Sequence, residues 1–264
     1  MTDLNGRTVW VTGASSGIGR ALALQAVSAG ARVVLSARRE AELEAVRAAC
    51  SDPANAAVLP VDLLEQGLDF DALRERAEQP FGPVDVLVNN AGLSQRSLLA
   101  ETAMPVYRRL MELDYFVPVA LTRAVLPGMI ERRRGHLVAI SSVAGKLGVP
   151  LRSGYCAAKH APHGFFDAAR AELHDAGLRV TLACPGFVRT QVSVNALGPT
   201  GEAHGRMDEA IDQGVSAEYC AGQIWRAVAR EQEEVLIGRE RYAVWLRRLA
   251  PGLVSRLIRR SKVT

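Results

Sequence analysis

Seven short runs of apolar and β-branched residues punctuate the chain: TVWVTG (8 to 13), ARVVLSA (31 to 37), AAVLPVD (56 to 62), VDVLVNNAG (84 to 92), GHLVAISS (135 to 142), LRVTLACPG (178 to 186) and EVLIG (234 to 238). Each has the length of a strand, and most are apolar at successive positions, the pattern of strands covered on both faces. Longer amphipathic stretches separate them, near 17 to 30, 39 to 50, 67 to 79, 105 to 132, 153 to 176 and 216 to 231, each ending near Gly, Pro or a polar cluster. Strands and helices in alternation specify βαβ units and a parallel sheet. The expected fold class is therefore α/β, a three-layer doubly wound fold with an about seven-stranded parallel sheet and helices on both faces. It spans residues 1 to 264 as a single domain, with no repeat or low-complexity linker. Residues 187 to 214 form a long, weakly patterned insertion of the kind that makes an active-site lid.

The first strand runs into TGASSGIGR (12 to 20), with glycines at 13, 17 and 19 opening a helix. In such a turn Gly13 permits the tight bend, Gly17 lets the backbone approach a pyrophosphate, and Gly19 lets helix and strand pack closely. The helix N-terminus adds N–H donors and the positive end of its dipole. The spacing is GxxxGxG, and its place at the start of a βαβ unit points to a dinucleotide site of the Rossmann type rather than a plain structural turn. The second strand exits through LSARRE, without an acid before Glu40. An acid there binds a ribose 2′-hydroxyl and an arginine accommodates a 2′-phosphate, so Arg38 and Arg39 favour NADP(H) over NAD(H). Two solvated arginines in the first turn of a helix are the other account, which the helix dipole disfavours.

Three lysines stand among 32 basic residues, and one of them, Lys159, follows Tyr155 by four positions in SGYCAAKHA (153 to 161). On a helix the two share a face. A phenol titrates near pH ~10, too high for ready proton exchange at neutrality, and a neighbouring ammonium favours the phenolate. Tyr155 is then a candidate general acid for a carbonyl oxygen, or base for an alcohol, while the compact ammonium of Lys159 can also bond two ribose hydroxyls. A half-buried tyrosine and a surface lysine are the alternative. Ser142 ends the fifth run, at the sheet edge where ligands bind; its hydroxyl either bonds the same oxygen or closes a turn. Pro162 removes a helix hydrogen bond just past Lys159, so either a kink or a local adjustment of the substrate site is expected there. Cys156, His160 and His163 flank the pair, but no Cys/His set has metal-ligand spacing, and no metal is expected.

In order along the chain, TGASSGIG, NNAG (89 to 92), ISS (140 to 142), YCAAK and PGFVRT (185 to 190) resemble the short-chain dehydrogenase/reductase family. The resemblance covers nearly the whole chain. It implies a seven-stranded Rossmann domain that binds NAD(P)(H), with Ser142, Tyr155 and Lys159 catalytic. It further implies Asp62 and Leu63 at the adenine, Asn89 at the ribose, and Ile18, Pro185, Val188 and Thr190 near the nicotinamide. Ser15 and Ser16 of the glycine turn, Ala91 and Gly92 of NNAG, and Gly186 complete the cofactor-binding set. SVNALGPTG (193 to 201) and the C-terminal sequence are similar to the branch called dehydrogenase/reductase member 7 and 7B, which implies an apolar carbonyl or alcohol substrate. The family usually has Asn where this chain has Asp114, and often Gly where it has Val117. That Asn is held to bind a water linking the lysine to a proton relay. Asp114 can hold the same water, at the expense of weakening the pull of Lys159 on a tyrosine proton, or can be a helix residue paired with an arginine such as Arg109. The family also implies a homodimer or homotetramer.

Other classes fit less well. The net charge of +4 is spread over most helices with no nucleic-acid-binding motif, so no nucleic-acid partner is expected. Four cysteines without CxxC pairs indicate a reducing, cytoplasmic setting, and the N-terminus lacks the apolar core of a signal peptide. No apolar window reaches the length of a membrane-spanning helix. The tail, 239 to 264, interleaves apolar residues with arginines around Pro251; such a segment lies on an anionic membrane surface, closes a lid or lines a dimer interface. Three functions are thus in view: an NADP(H)-dependent reductase or dehydrogenase of an apolar carbonyl or alcohol, a cofactor-binding scaffold or sensor blunted by Asp114, and a peripheral membrane protein acting through its tail.

Overall fold

The computed structural model of the protein describes residues 2–260, and the last four residues of the basic tail, 261–264, lie outside them. Seven strands, β1 (Thr8–Thr12), β2 (Arg32–Ala37), β3 (Ala56–Pro60), β4 (Val86–Asn89), β5 (Gly135–Ile140), β6 (Leu178–Pro185) and β7 (Glu234–Ile237), fall within the seven apolar runs. They form one sheet in the order β3-β2-β1-β4-β5-β6-β7, every neighbouring pair parallel. The connecting helices are α1 (Gly17–Ser28), α2 (Glu40–Ala48), α3 (Phe70–Glu78), α4 (Met104–Met111), α5 (Val117–Glu131), α6 (Ser153–Leu173), the single turn α7 (Glu209–Asp212), α8 (Ala217–Ala229), α9 (Arg241–Leu249) and α10 (Pro251–Arg260). This is the doubly wound Rossmann arrangement.

Strand side chains explain the continuous apolar runs. Val9 and Val11 of β1, with Val86 and Val88 of β4, pack into a core with Leu22 of α1, Leu43 of α2 and Ile224 of α8. Trp10 and Leu87, between them in sequence, pack on the other face with Leu73 of α3, Leu121 of α5 and Phe166 of α6. Successive residues point to opposite faces, and both faces are covered, so apolar residues dominate at successive positions.

The chain turns back between β1 and β4, and the crevice beyond their carboxyl ends is where such sheets bind ligands. Residues 104–131 make one long helix, α4 and α5 joined by a π-helical turn at Glu112–Phe116. Pro118 lacks the N–H that the Asp114 carbonyl would accept in a regular α-helix, which accounts for the widened turn. The joined helix is long and apolar enough to cross a membrane, which corrects the expectation that no segment reaches that length. Its apolar residues have a nearer use: Val117, Leu121, Val125 and Met129 are buried against the sheet. α6 runs unbroken through Pro162.

His136 of β5 is buried, its Nε2 2.8 Å from Thr181 Oγ1 and its Nδ1 3.0 Å from Thr2 Oγ1. Thr181 gives its own hydroxyl proton to the Gln232 carbonyl, so Nε2 donates and Nδ1 accepts, and the neutral ring is fully satisfied. Burial pulls this imidazole down to about 4, against 6.5 ordinarily. The unfolded ring therefore takes up a proton as pH falls below 6.5 while the folded ring resists until about 4, so stability present above 6.5 is lost on acidification. We expect this one group to remove about 3 kcal/mol of stability across that window. Urea titrations at several pH values check it: His136→Gln should flatten the slope, and an unchanged slope would assign it elsewhere.

Candidate active site

At the crevice lies a cleft of about 980 Å³. One end is the glycine turn. Gly13 has φ +65°, and a Cβ there would press on Ala91 and Asn90; a Cβ at Gly19 would collide with the Gly13 carbonyl, so Gly19 serves packing beneath the turn. Gly13, Ser15, Ser16, Gly17 and Ile18 line the cleft. Ser16 is the N-cap of α1, no side chain caps the amides there, and the first turn carries no acid. These free N–H groups and the dipole behind them suit an anion. Arg38 and Arg39 stand at the same end; Arg39 pairs with Glu42 at 2.6 Å, while Arg38 is exposed and has no carboxylate partner among the described residues. Asp62, Leu63, Ala91 and Gly92 also line the cleft.

Asn89 does not. It shares a strand face with Leu87, which turns its side chain to α5, where Nδ2 lies 3.4 Å from Thr122 Oγ1. The next residue, Asn90, lines the cleft and donates from Nδ2 to the Thr12 carbonyl at 2.9 Å, tying β1 to β4 at the switch point. The cleft-facing asparagine is thus one residue on from the expected Asn89, because strand neighbours face opposite ways.

The other end holds the polar pair. Tyr155 and Lys159 sit on the first turns of α6, both lining the cleft, with the Lys159 Nζ 5.9 Å from the centroid of the Tyr155 ring. Lys159 is buried, and its ammonium donates to the Ile140 carbonyl at 3.0 Å and to Asp114 Oδ1 at 3.0 Å. Two of its three protons are thereby taken, leaving one for the cleft, whereas the sequence suggested two ribose bonds. Asp114 is paired with this lysine and not with Arg109, which is exposed at the cleft mouth. The carboxylate lies behind Lys159 rather than in the cleft, also accepting from the Leu93 amide at 3.2 Å, and Gly92 is a glycine where a Cβ would strike it. Burial pushes the Asp114 carboxyl up, against Lys159 and the Leu93 N–H. Burial also pulls Lys159 down, but Asp114 and Tyr155 more than offset it, and the ammonium is held above its ordinary range.

Ser142 lines the cleft as expected, its hydroxyl donating to the Pro185 carbonyl at 3.3 Å and accepting from the Ala144 amide at 3.1 Å. Pro185, Gly186, Val188 and Thr190 line it too. Ser141, one residue earlier, is buried and bonds both the Lys159 carbonyl (3.0 Å) and His163 Nε2 (2.9 Å). Folding also gathers His163, Cys184 and Glu234 to within 4.8 Å, a set with no signature in the sequence spacing. Lys146 already holds the Glu234 carboxylate at 2.5 Å, and burial, with that carboxylate's charge, pushes the Cys184 thiol up to about 12. Both fit an internal ion-pair network better than an ion site.

Two positioning residues had no sequence signal. Gln95 is fully buried and its Oε1 accepts from the Gly154 amide at 2.7 Å and the Tyr155 amide at 3.3 Å, capping α6 from another loop. Asp208 accepts at 2.7 Å from both Arg96 and Arg152, the residue before α6, so the 187–214 segment is fastened beside the tyrosine.

Residues 7–198 match the family described as short chain dehydrogenase. The chain belongs to the short-chain dehydrogenase/reductase family. Mouse dehydrogenase/reductase SDR family member 7B is 42% identical over 262 residues, covering 97% of this chain and 81% of that one. A short-chain dehydrogenase/reductase of Burkholderia phymatum, solved in complex with NAD, is 26% identical with a TM-score of 0.84, covering 96% of each chain. A metagenomic short-chain oxidoreductase, solved with NADP, is 32% identical with a TM-score of 0.71, covering 89% of this chain and 98% of that one. Family membership thus supports an oxidoreductase with a nicotinamide cofactor. For the Gln95 cap, we expect Gln95→Ala to lower unfolding free energy by about 1–3 kcal/mol in urea titrations, since two amides lose their acceptor. No loss of stability would show that water replaces the amide oxygen.

Proposed function

We propose that the protein is an NADP(H)-dependent oxidoreductase that interconverts a ketone or aldehyde and an alcohol on an apolar substrate, with Tyr155 as general acid or base. The observation that carries this is the convergence, in one cleft, of an uncapped helix N-terminus, a tyrosine and a buried ammonium. The residues fit a nicotinamide dinucleotide: the glycine turn and α1 amides for the pyrophosphate, Arg38 with Arg39 for a 2′-phosphate, Asp62 and Leu63 for the adenine, Lys159 for the ribose, and Ile18, Pro185, Val188 and Thr190 around the nicotinamide. When bound, that group supplies or accepts the hydride. The protein's part is acid–base and positional. Tyr155 gives a proton to the carbonyl oxygen in reduction and takes it from the alcohol in oxidation, Ser142 bonds the same oxygen, and Lys159 stabilises negative charge on the phenol oxygen. Asp114 acts through Lys159 and touches no reacting atom.

Support for an apolar substrate comes from Leu147, Val149, Phe187, Leu197 and Ile211 on the cleft wall. We take 187–214 as the lid of a single 1–264 domain, latched by Asp208. Four buried, free cysteines support a cytoplasmic setting, and family membership supports a homodimer or homotetramer. A second reading, a cofactor-binding scaffold or sensor, draws on the Lys159–Asp114 pair, because an ammonium whose field is offset by a carboxylate assists tyrosine less.

Three measurements test this. Tyr155→Phe should abolish NADPH-linked reduction across a panel of apolar ketones while leaving NADPH affinity within about twofold; retained turnover would sink the assignment. Arg38→Ala should weaken NADPH binding by about tenfold and leave NADH nearly unaffected, and tighter binding of NADH by the wild type would overturn the cofactor preference. Asp114→Asn should move the alkaline rise of alcohol oxidation to lower pH, because the ammonium is no longer offset; an unmoved profile would leave Asp114 with a packing role.

A further inference from the structure

The basic tail has two apolar faces. On the inner one, Val254 is buried against Val143 and Leu147, with Val244, Leu246 and Ile258 packed around them. Val143, Leu147 and Ile258 also line the cleft, as does Ala243. The outer face points away from this cluster and leaves Tyr242 63%, Trp245 59%, Leu249 83%, Leu253 49% and Leu257 53% exposed. Tyr242, Trp245 and Leu249 follow one stripe of α9, and Leu253 and Leu257 one stripe of α10. Arg247 bonds Ser255 at 2.8 Å and so links the two helices.

Charge selects the occupant. Arg239, Arg241, Arg247, Arg248, Arg256 and Arg259 are exposed around these stripes, and none pairs with a carboxylate among the described residues. The single acid between 239 and 260, Glu240, turns inward, against Gly186 and Gly238 at the cleft. A two-fold contact between copies would set these arginines against their own kind. An anionic lipid surface instead meets the guanidinium groups and receives the leucines, and a tryptophan suits the boundary between headgroups and chains.

We propose that α9 and α10 dock on an anionic lipid surface through Tyr242, Trp245, Leu249, Leu253 and Leu257, placing the cleft mouth at the bilayer. Resting on the apolar-substrate reading above, this makes the substrate a lipid-dissolved carbonyl or alcohol. The inner face of the same two helices then forms the cleft wall nearest the membrane.

Trp10 and Trp225 are buried, so Trp245 reports on this face by itself. The test mixes the full-length protein with phosphatidylcholine vesicles, with and without phosphatidylglycerol. The expected result is co-flotation with the anionic vesicles, a blue shift of tryptophan emission, and release at high salt. The triple variant Leu249→Ser, Leu253→Ser, Leu257→Ser should bind them roughly tenfold or more weakly while retaining NADPH affinity. Three results would overturn the proposal: no flotation or shift with anionic vesicles, equal binding to neutral ones, or a triple variant that binds vesicles normally. A triple variant that instead falls from oligomer to monomer would assign the face to a subunit contact. Vesicle binding needs no turnover, so an inactive protein that floats would fail only the reductase reading, and an active one that does not float would fail only this one.

Discussion

Covering both faces of a parallel sheet is the constraint from which the rest follows. Helices on each side make the strands mostly apolar, and Val9, Trp10 and Val11 of β1 are fully buried in two different cores. What remains open is the row of strand ends. Where the winding reverses, between β1 and β4, two loops diverge from adjacent ends, and Asn90 fastens one to the other through the Thr12 and Gly13 carbonyls. The uncapped amides of α1 open on one side of that crevice, and α6 brings Tyr155 and Lys159 to the other.

The buried pair of Lys159 and Asp114 is the second organising feature. Burying one charge alone is severely unfavourable, and burying two is tolerated when they meet at good geometry with their other hydrogen bonds satisfied. Here Ile140 and Leu93 supply those bonds from the ends of β5 and beyond β4, and Gly92 makes room for the carboxylate. The π-helical turn that Pro118 imposes carries Asp114. An ammonium so held is fixed in place and remains charged, but part of its field is turned away from the tyrosine. The site thus sets a tyrosine and a buried lysine together, with a carboxylate behind the lysine.

Around that site the structure is tied from several directions. Gln95 caps α6 from a loop, Ser141 holds the carbonyl of Lys159, and Asp208 joins the 187–214 segment to Arg152. Each acts on the position of α6 rather than on a reacting atom. The tail closes the remaining side, with Val254 seated against Val143 and Leu147. The geometry of the cleft is therefore shared among distant segments, and part of the cleft wall and the basic outer face belong to the same two helices.

All seven strands, six of the helices and the glycine turn were legible in the amino-acid sequence, because strand burial and helix amphipathicity are written locally as periodicity. Tyr155, Lys159, Ser142 and the arginines of the second strand exit were legible for a related reason, since each lies at a fixed distance from an element boundary. The rest depends on contacts between segments far apart in the chain. The family resemblance pointed to Asn89, and strand pleat turns Asn90 to the cleft instead. Asp114 had equal claims as a relay residue and as a partner of Arg109 until the fold set it 3.0 Å from Lys159. Gln95 carries no pattern in the sequence, and only packing could bring it to the N-terminus of α6. Sequence determined the sheet and the chemical groups at its edge, because local patterns suffice for both; tertiary structure decided how those groups are charged and held, because that is settled by neighbours the chain meets only once folded.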